Sequence, residues 1–122
     1  MYIYSFEKLD VWQKARILNS NIYTLTMNFP KEETYGLVQQ LRRASISISS
    51  NIAEGSSRTS HRDKARFTNM AYGSLLEVLN QLILSKDLSY IDEVEYKSIR
   101  PLIEEIGNKL NALRNYQLKN SK

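Results

Sequence analysis

Four stretches of the chain carry apolar residues at alternating spacings of three and four, the pattern of an amphipathic α-helix. The first predicted helix spans about 10–28 and ends at Phe29-Pro30, because a residue before proline avoids the helical region. We expect Asp10 to cap the start of this helix, since a carboxylate accepts hydrogen bonds from the free amide groups of the first turn. Its apolar positions are Val11, Ala15, Leu18, Ile22, Leu25 and Phe29.

The second predicted helix spans about 33–54, and its middle is rich in serine. Residues 45–51 alternate Ser and Ile with a period of two, which is also typical of a β-strand. We predict helix, because a stripe at helical spacing continues on both sides, and we expect Gly55 to end it. The stripe consists of Leu37, Leu41, Ala44, Ile48 and Ile52.

The third predicted helix spans about 60–86 and is apolar on more than one face. Ser60 followed by Asp63 resembles a capping box at its start. Its core positions are Phe67, Ala71, Leu75, Val78 and Leu82, and further apolar residues lie around it at Met70, Leu76, Leu79, Ile83 and Leu84. A helix with two apolar faces is buried on both, which in a bundle of this size predicts contact with another subunit.

The fourth predicted helix spans about 92–117, with Asp92 and Glu95 as a capping box. Pro101 within it predicts a kink or a late start of the regular helix, because proline removes a backbone hydrogen bond. Connections of a few residues place consecutive helices antiparallel. The pattern therefore predicts a single all-α domain over 1–122, an antiparallel up-down-up-down four-helix bundle.

Composition supports this interpretation. The 122 residues include only 4 glycines and 2 prolines, too few for the frequent turns of an all-β protein. Cysteine is absent, which excludes disulfides, thiolate metal sites and cysteine nucleophiles. No stretch has the length and apolarity of a signal peptide or a membrane span, so we expect a cytoplasmic protein with no membrane contact.

The net charge of +4 comes from one part of the chain. Residues 35–70 hold six basic and two acidic side chains, whereas basic and acidic side chains balance before and after. Several of the basic residues lie near a helix N-terminus, a combination that suits phosphate. The alternative is that they form a solvated face or salt bridges between subunits. The candidate nucleic-acid-binding residues are Arg42, Arg43, Arg58, Arg62, Lys64 and Arg66.

No catalytic, metal or cofactor site is predicted. His61 is the single histidine, so neither a histidine metal cluster nor a serine-type triad can form around histidine. The phosphate-loop and dinucleotide motifs are absent. The hydroxyl groups of residues 45–50 and Ser74 could suggest an active site, but small side chains there also allow helices 2 and 3 to approach closely. We expect a protein that is not an enzyme.

Specific motifs then point to a family. They are Phe6-x-x-Leu9-x-Val11-Trp12-Gln13-Lys14-Ala15, Phe29-Pro30-x-x-Glu33-x-Tyr35-Gly36-Leu37-x-x-Gln40-Leu41-Arg42-Arg43-Ala44, Ser47-Ile48-x-Ser50-Asn51-Ile52-Ala53-Glu54-Gly55 and Ala71-x-Gly73-Ser74-Leu75-x-Glu77. Together they resemble the bacterial four-helix-bundle proteins first noticed in intervening sequences of 23S rRNA genes. The same family includes relatives of the accessory variability protein of diversity-generating retroelements.

The resemblance implies a four-helix subunit assembled as a ring, commonly a pentamer. It also implies basic residues available to nucleic acid and, in the retroelement branch, to a reverse transcriptase. Arg42, Arg43 and Arg58 fall in or beside the motifs, whereas Arg62, Lys64 and Arg66 match no fixed pattern. Pro101 departs from the family's uninterrupted fourth helix.

Two functional hypotheses result. The leading one is a non-enzymatic homo-oligomer that binds RNA or DNA non-specifically, its arginines neutralising phosphates without reading bases. The rival is a protein-protein scaffold or accessory subunit whose arginines are structural and which binds no nucleic acid.

Overall fold

Four α-helices and two short 3₁₀ turns form the regular structure of the computed structural model, which describes residues 1–121. No strand is present among these residues, so the chain is all-α, as predicted. Each helix packs on the next, and the first also packs on the last. The helices are α1 (Asp10–Thr26), α2 (Leu37–Ser56), α3 (His61–Asp87) and α4 (Glu93–Lys119), and the 3₁₀ turns are Ser5–Lys8 and Lys31–Glu33.

The start of α1 differs from the prediction. Leu9 occupies the capping position, and no side chain bonds to the free amides there. The Asp10 carboxylate instead accepts a hydrogen bond from Lys109 of α4, with Oδ2 and Nζ 2.7 Å apart. The prediction that Asp10 caps α1 is therefore wrong, because a cation from the other end of the sequence holds this carboxylate.

The start of α2 is fixed by Glu33. Its Oε1 accepts the amide of Leu37 at 3.1 Å, and its Oε2 accepts the Tyr90 hydroxyl at 2.9 Å. The hydrogen bond to this carboxylate raises the pKa of Tyr90. A Cβ at Gly36 would lie only 2.5 Å from Glu33 Oε1. Glycine thus admits the capping carboxylate, and α2 begins at Leu37, later than the sequence pattern indicates.

The serine-rich middle of α2 is helical, as predicted, and packs closely on α3. Ser47 Oγ and Ser74 Oγ share a hydrogen bond at 2.9 Å. Gly55 does not end the helix. It is buried in the last turn, where an added Cβ would lie 2.8 Å from Phe67 Cβ. The role predicted for Gly55 is therefore wrong: it allows close contact between two helices.

Local capping sets the starts of α3 and α4. Ser60 Oγ accepts the amide of Asp63 at 3.1 Å. Asp92 Oδ1 accepts the amide of Glu95 at 2.7 Å, and Glu95 Oε1 accepts the amide of Asp92 at 2.9 Å, so the predicted capping box is present. The helix α4 runs through Pro101 without interruption, so the alternative of a late start is wrong. Pro101 is exposed, where water can satisfy the carbonyl group that loses its backbone partner.

The buried core contains most of the predicted stripe residues of the first three helices, but Phe67 is buried outside this cluster and Leu25 and Leu37 are only partly buried. The helix α4 contributes Ile99, Ile103, Ile106 and Leu110 to the core. Outside it, α3 presents an exposed apolar surface formed by Met70, Leu76, Ile83 and Leu84, which are 37–46% exposed. Leu79, predicted to extend this surface, is instead half-buried against the core. Large apolar side chains thus remain exposed to solvent along α3.

Candidate nucleic-acid interface

The connection between α2 and α3 carries most of the predicted basic residues. Residues 57–60 separate the two helices, and Ser60 caps α3. The free amides of a helix's first turn carry a partial positive charge that favours anions. We call residues 57–66 the α2–α3 end.

Asp63 organises two arginines at the α2–α3 end. Arg66 holds one carboxylate oxygen with Nε at 3.0 Å and Nη2 at 2.9 Å. Arg58 Nε lies 4.0 Å from the other oxygen. Both guanidinium groups lie over the Phe67 ring, 4.4 Å (Arg58) and 4.8 Å (Arg66) from its centroid. One carboxylate and one ring therefore orient two cations, and the group keeps a net positive charge.

Arg62 and Lys64 lie on different sides of α3, because two residues along a helix differ by about 200° in direction. Arg62 is exposed and lines a shallow cleft with Arg66 and Asn69. Lys64 is half-buried and lines a separate pocket with His61. The predicted cluster is therefore divided between two neighbouring surfaces.

Arg42 lies away from the α2–α3 end. Its Nε donates to Thr26 Oγ1 at 3.0 Å, and its guanidinium lies 4.4 Å from the centre of the Tyr23 ring. The side chain is half-buried. These contacts join α2 to α1, so the Arg42 side chain is less exposed to solvent than that of Arg43.

Arg43 lies beside α3, away from the other candidates. Its Nη2 donates to Gln40 Oε1 at 2.7 Å and lies 3.9 Å from Glu77 Oε2. The side chain is 66% exposed. The structure thus brings Arg58, Arg62, Lys64 and Arg66 to one end of the molecule and places Arg42 and Arg43 elsewhere on α2.

The pocket beside Lys64 includes residues that sequence reasoning missed. Tyr116 and Gln117 reach it from the last turns of α4. Thr68 Oγ1 donates to Gln117 Oε1 at 2.7 Å, a contact across 49 residues of sequence. No motif links these positions, so only the folded chain shows that they meet.

Two further findings concern chemistry and membranes. Within residues 1–121, no group of three or more histidine, aspartate or glutamate side chains is placed to hold a metal ion. No helix in this part of the chain has the length and apolarity needed to cross a lipid bilayer. Apart from the Asp63 carboxylate and the His61 imidazole, the polar groups at the α2–α3 end are cations, amides and hydroxyls, which suit an anion.

Comparisons with known proteins find a matching family and similar solved structures. A family model described as "23S rRNA-intervening sequence protein" matches residues 7–112. A crystal structure of a protein of unknown function from the S23 ribosomal protein family of Bacteroides thetaiotaomicron VPI-5482 is 25% identical and superposes with a TM-score of 0.76. The match covers 85% of this chain and 97% of that one. No curated protein matches the sequence.

Proposed function

The chain belongs to the 23S rRNA-intervening sequence protein family, and we propose that it is a non-enzymatic, cytoplasmic homo-oligomer that binds RNA or DNA without sequence preference. One observation carries the proposal: Arg58, Arg62 and Arg66 gather beside the N-terminus of α3, with Asp63 as the nearby carboxylate. Cations and helix amides at one place form an electrostatic site for phosphate.

The mechanism is neutralisation of phosphates by arginines already held in position. Asp63 and Phe67 restrict Arg58 and Arg66 before a ligand arrives, so less side-chain freedom is lost on binding. Arginine presents several N–H donors that match phosphate oxygens. Contacts of this kind position a nucleic acid without reading its bases, so binding is salt-dependent and nearly indifferent to sequence.

The proposed architecture is an antiparallel up-down-up-down bundle. Contacts at both ends of α3 support it. Thr68 and Asn69, near the start of α3, bond to Gln117 and Arg114, near the end of α4. Lys86, at the end of α3, bonds to Glu93 at the start of α4, with Nζ and Oε2 3.2 Å apart.

Self-association is proposed through the exposed apolar surface of α3. Gly73 lies within this stretch, and an added Cβ there would meet no atom within 4 Å. Glycine in a helix interior costs about 1 kcal/mol relative to alanine, and no contact within the described chain explains it. A close approach by another subunit would explain why glycine occupies this position. A ring, with five subunits as the resemblance implies, would repeat the α2–α3 end around its circumference.

The test is fluorescence anisotropy with structured RNA, duplex DNA and single-stranded DNA, titrated from about 50 to 200 mM salt. We expect binding that weakens steeply with salt for the wild type. The Arg62→Glu/Arg66→Glu variant is expected to lose this binding while keeping the wild-type mass by light scattering. Absence of binding by the wild type at the lowest salt would refute the nucleic-acid function.

The second candidate function is a protein scaffold or accessory subunit, such as a partner of a reverse transcriptase. The exposed apolar surface of α3 favours it, because such a surface also suits a different protein. The same experiment separates the two. If the Arg62→Glu/Arg66→Glu variant becomes monomeric, these arginines hold subunits together, and the scaffold function gains support.

A further inference from the structure

A pocket of about 210 Å³ lies where the α2–α3 end meets the N-terminal 3₁₀ turn and the last turns of α4. Leu9, Ile52 and Leu113 supply apolar wall, while His61, Thr68 and Gln117 supply polar groups. Lys64 is the one lysine or arginine among the lining residues, and none of them is acidic. The pocket therefore combines an apolar interior with hydrogen-bonding groups and one positive charge.

Two residues that line the pocket carry polar groups with unused hydrogen-bonding capacity. His61 Nδ1 is buried and has no hydrogen-bond partner within residues 1–121. A buried polar atom without a partner is costly, so a group that bonds to it would gain affinity. The Thr68 hydroxyl bonds to Gln117 Oε1 at 2.7 Å and fixes that carboxamide, whose amino group can donate.

An aromatic side chain stands beside these groups. The Tyr116 ring meets His61 edge-on, with centroids 6.1 Å apart, and remains 60% exposed. A planar ligand can stack on this ring. The pocket is smaller than the roughly 300–1,000 Å³ of sites for drug-sized molecules. A single ring system with hydrogen-bonding edges fits these properties, and Lys64 adds a preference for negative charge.

We propose that this pocket binds the base of one nucleotide, with the nucleotide's phosphate at Lys64. The proposal deepens the nucleic-acid function proposed above and rests on it, since the pocket adjoins the α2–α3 end. It adds a site that recognises an unpaired base to a surface that recognises only phosphates. The nucleotide has two sources: a free mononucleotide, or an extruded nucleotide of a bound strand.

The experiment titrates the full chain with AMP, GMP, CMP and UMP and follows backbone amides by NMR, with ribose 5-phosphate and benzoate as controls. We expect a nucleotide to shift the amides of Lys64, Thr68 and Gln117, and both controls to bind more weakly. Lys64→Met, which keeps the apolar stem, removes a charge-assisted contact and should weaken binding about 10- to 100-fold. His61→Phe keeps an aromatic ring, removes Nδ1 and should weaken it about tenfold.

Arg62→Met is the matched control, because it removes the same charge two residues away on the other side of α3. It should leave mononucleotide affinity unchanged and weaken RNA binding. RNA binding without any mononucleotide binding would overturn the pocket proposal while leaving the function proposed above intact. Nucleotide affinity unaffected by Lys64→Met and His61→Phe, or benzoate binding as well as a nucleotide, would also overturn it.

The two sources are separated with a short single strand and its abasic counterpart. If the intact strand competes with a mononucleotide and the abasic strand does not, the occupant is an extruded base. If neither strand competes, the site takes free nucleotides. Both results require the pocket, since Lys64→Met must weaken mononucleotide binding in each case.

Discussion

The charged residues where α1 meets α4, namely Asp10, Lys14, Glu105 and Lys109, form a region that we call the α1–α4 side. This side and the α2–α3 end use charge in opposite ways. On the α1–α4 side, Lys109 bonds to Asp10 at 2.7 Å, and Lys14 lies 3.6 Å from Glu105. Each of these two lysines pairs with a carboxylate of the other helix. At the α2–α3 end, four basic side chains accompany Asp63 alone.

This difference separates structural charges from charges available to a partner. Exposed ion pairs contribute little to stability, so the α1–α4 pairs matter chiefly because they cancel the local field. The excess of cations at the α2–α3 end creates a field that attracts anions. Position within the fold, and not net charge alone, is therefore the basis on which we propose the α2–α3 end as a binding surface.

The largest expected effect comes from matched charge reversals on the two regions. Arg62→Glu/Arg66→Glu and Lys14→Glu/Lys109→Glu change the net charge equally. We expect the first to weaken RNA binding about 100-fold or more, since two charge-assisted contacts are lost. The second should change RNA affinity only a few-fold, because distant exposed charges are screened over about 10 Å in 0.1 M salt.

Anisotropy titrations at one fixed salt concentration measure both effects, and circular dichroism confirms that both variants remain folded. Equal losses of affinity would mean that net charge alone attracts the nucleic acid. The division between the two regions would then be wrong.

Packing differs between helix contacts as well, and two glycines show it. An added Cβ at Gly55 would lie 2.8 Å from Phe67 Cβ, whereas one at Gly107 would lie 3.4 Å from the flexible end of Leu75. Gly55→Ala should destabilise the protein by about 1–3 kcal/mol through overpacking of α2 against α3. Gly107→Ala should be near neutral, because alanine's higher helix propensity, about 1 kcal/mol, offsets mild crowding.

Urea denaturation of the two variants checks this prediction. A larger loss of stability for Gly107→Ala than for Gly55→Ala would show that α3 and α4 form the tighter contact. The Phe67 ring also supports Arg58 and Arg66, so Gly55→Ala should in addition reduce RNA affinity more than Gly107→Ala does.

A structural feature could be predicted from the sequence when the residues whose contact determines it lie close together along the chain. The starts of α3 and α4 follow from Ser60 and Asp92, whose capping partners are three residues away. The start of α2 depends on Glu33, which accepts the amide of Leu37 four residues away and is itself held by Tyr90, 57 residues away. The sequence pattern contains no signal for that contact, so the predicted start is too early.

The candidate site divides in the same way. Four of its residues lie within 58–66, so a local charge count was sufficient to find the α2–α3 end. The separation of Arg62 from Lys64 follows from helical periodicity and could have been predicted. The pocket could not, because Thr68 meets Gln117 only after α4 has packed on α3.

A smaller effect is expected at Gly73, where an added Cβ meets no atom within the subunit. Gly73→Ala should stabilise the isolated subunit by up to about 1 kcal/mol through helix propensity. If the exposed apolar surface of α3 joins subunits closely, the same change should weaken assembly. Light scattering over a dilution series and denaturation at the lowest concentration separate the two effects. A more stable variant with unchanged assembly would exclude Gly73 from the subunit contact.

The smallest expected effect tests the α1–α4 side by pH. The hydrogen bond from Lys109 lowers the pKa of Asp10 below its ordinary value of 3.8. The pKa of Lys109 is raised above 10.5 by the same bond. A lowered carboxyl pKa contributes stability that is present above the unfolded value, about 3.9, and lost as the pH falls through the folded value. A raised lysine pKa contributes stability that is lost only as the pH rises through its folded value.

Asp10→Asn should therefore lower the melting temperature slightly between about pH 4 and 10 and flatten its decline below about pH 4. RNA affinity at neutral pH should not fall, because Asp10 lies on the side whose charges are paired within the chain. Melting curves across the acid range and anisotropy at neutral pH check both statements. Parallel acid declines in the variant and the wild type would mean that the Asp10–Lys109 bond contributes nothing in solution. A marked loss of RNA affinity would place part of the binding surface on the α1–α4 side.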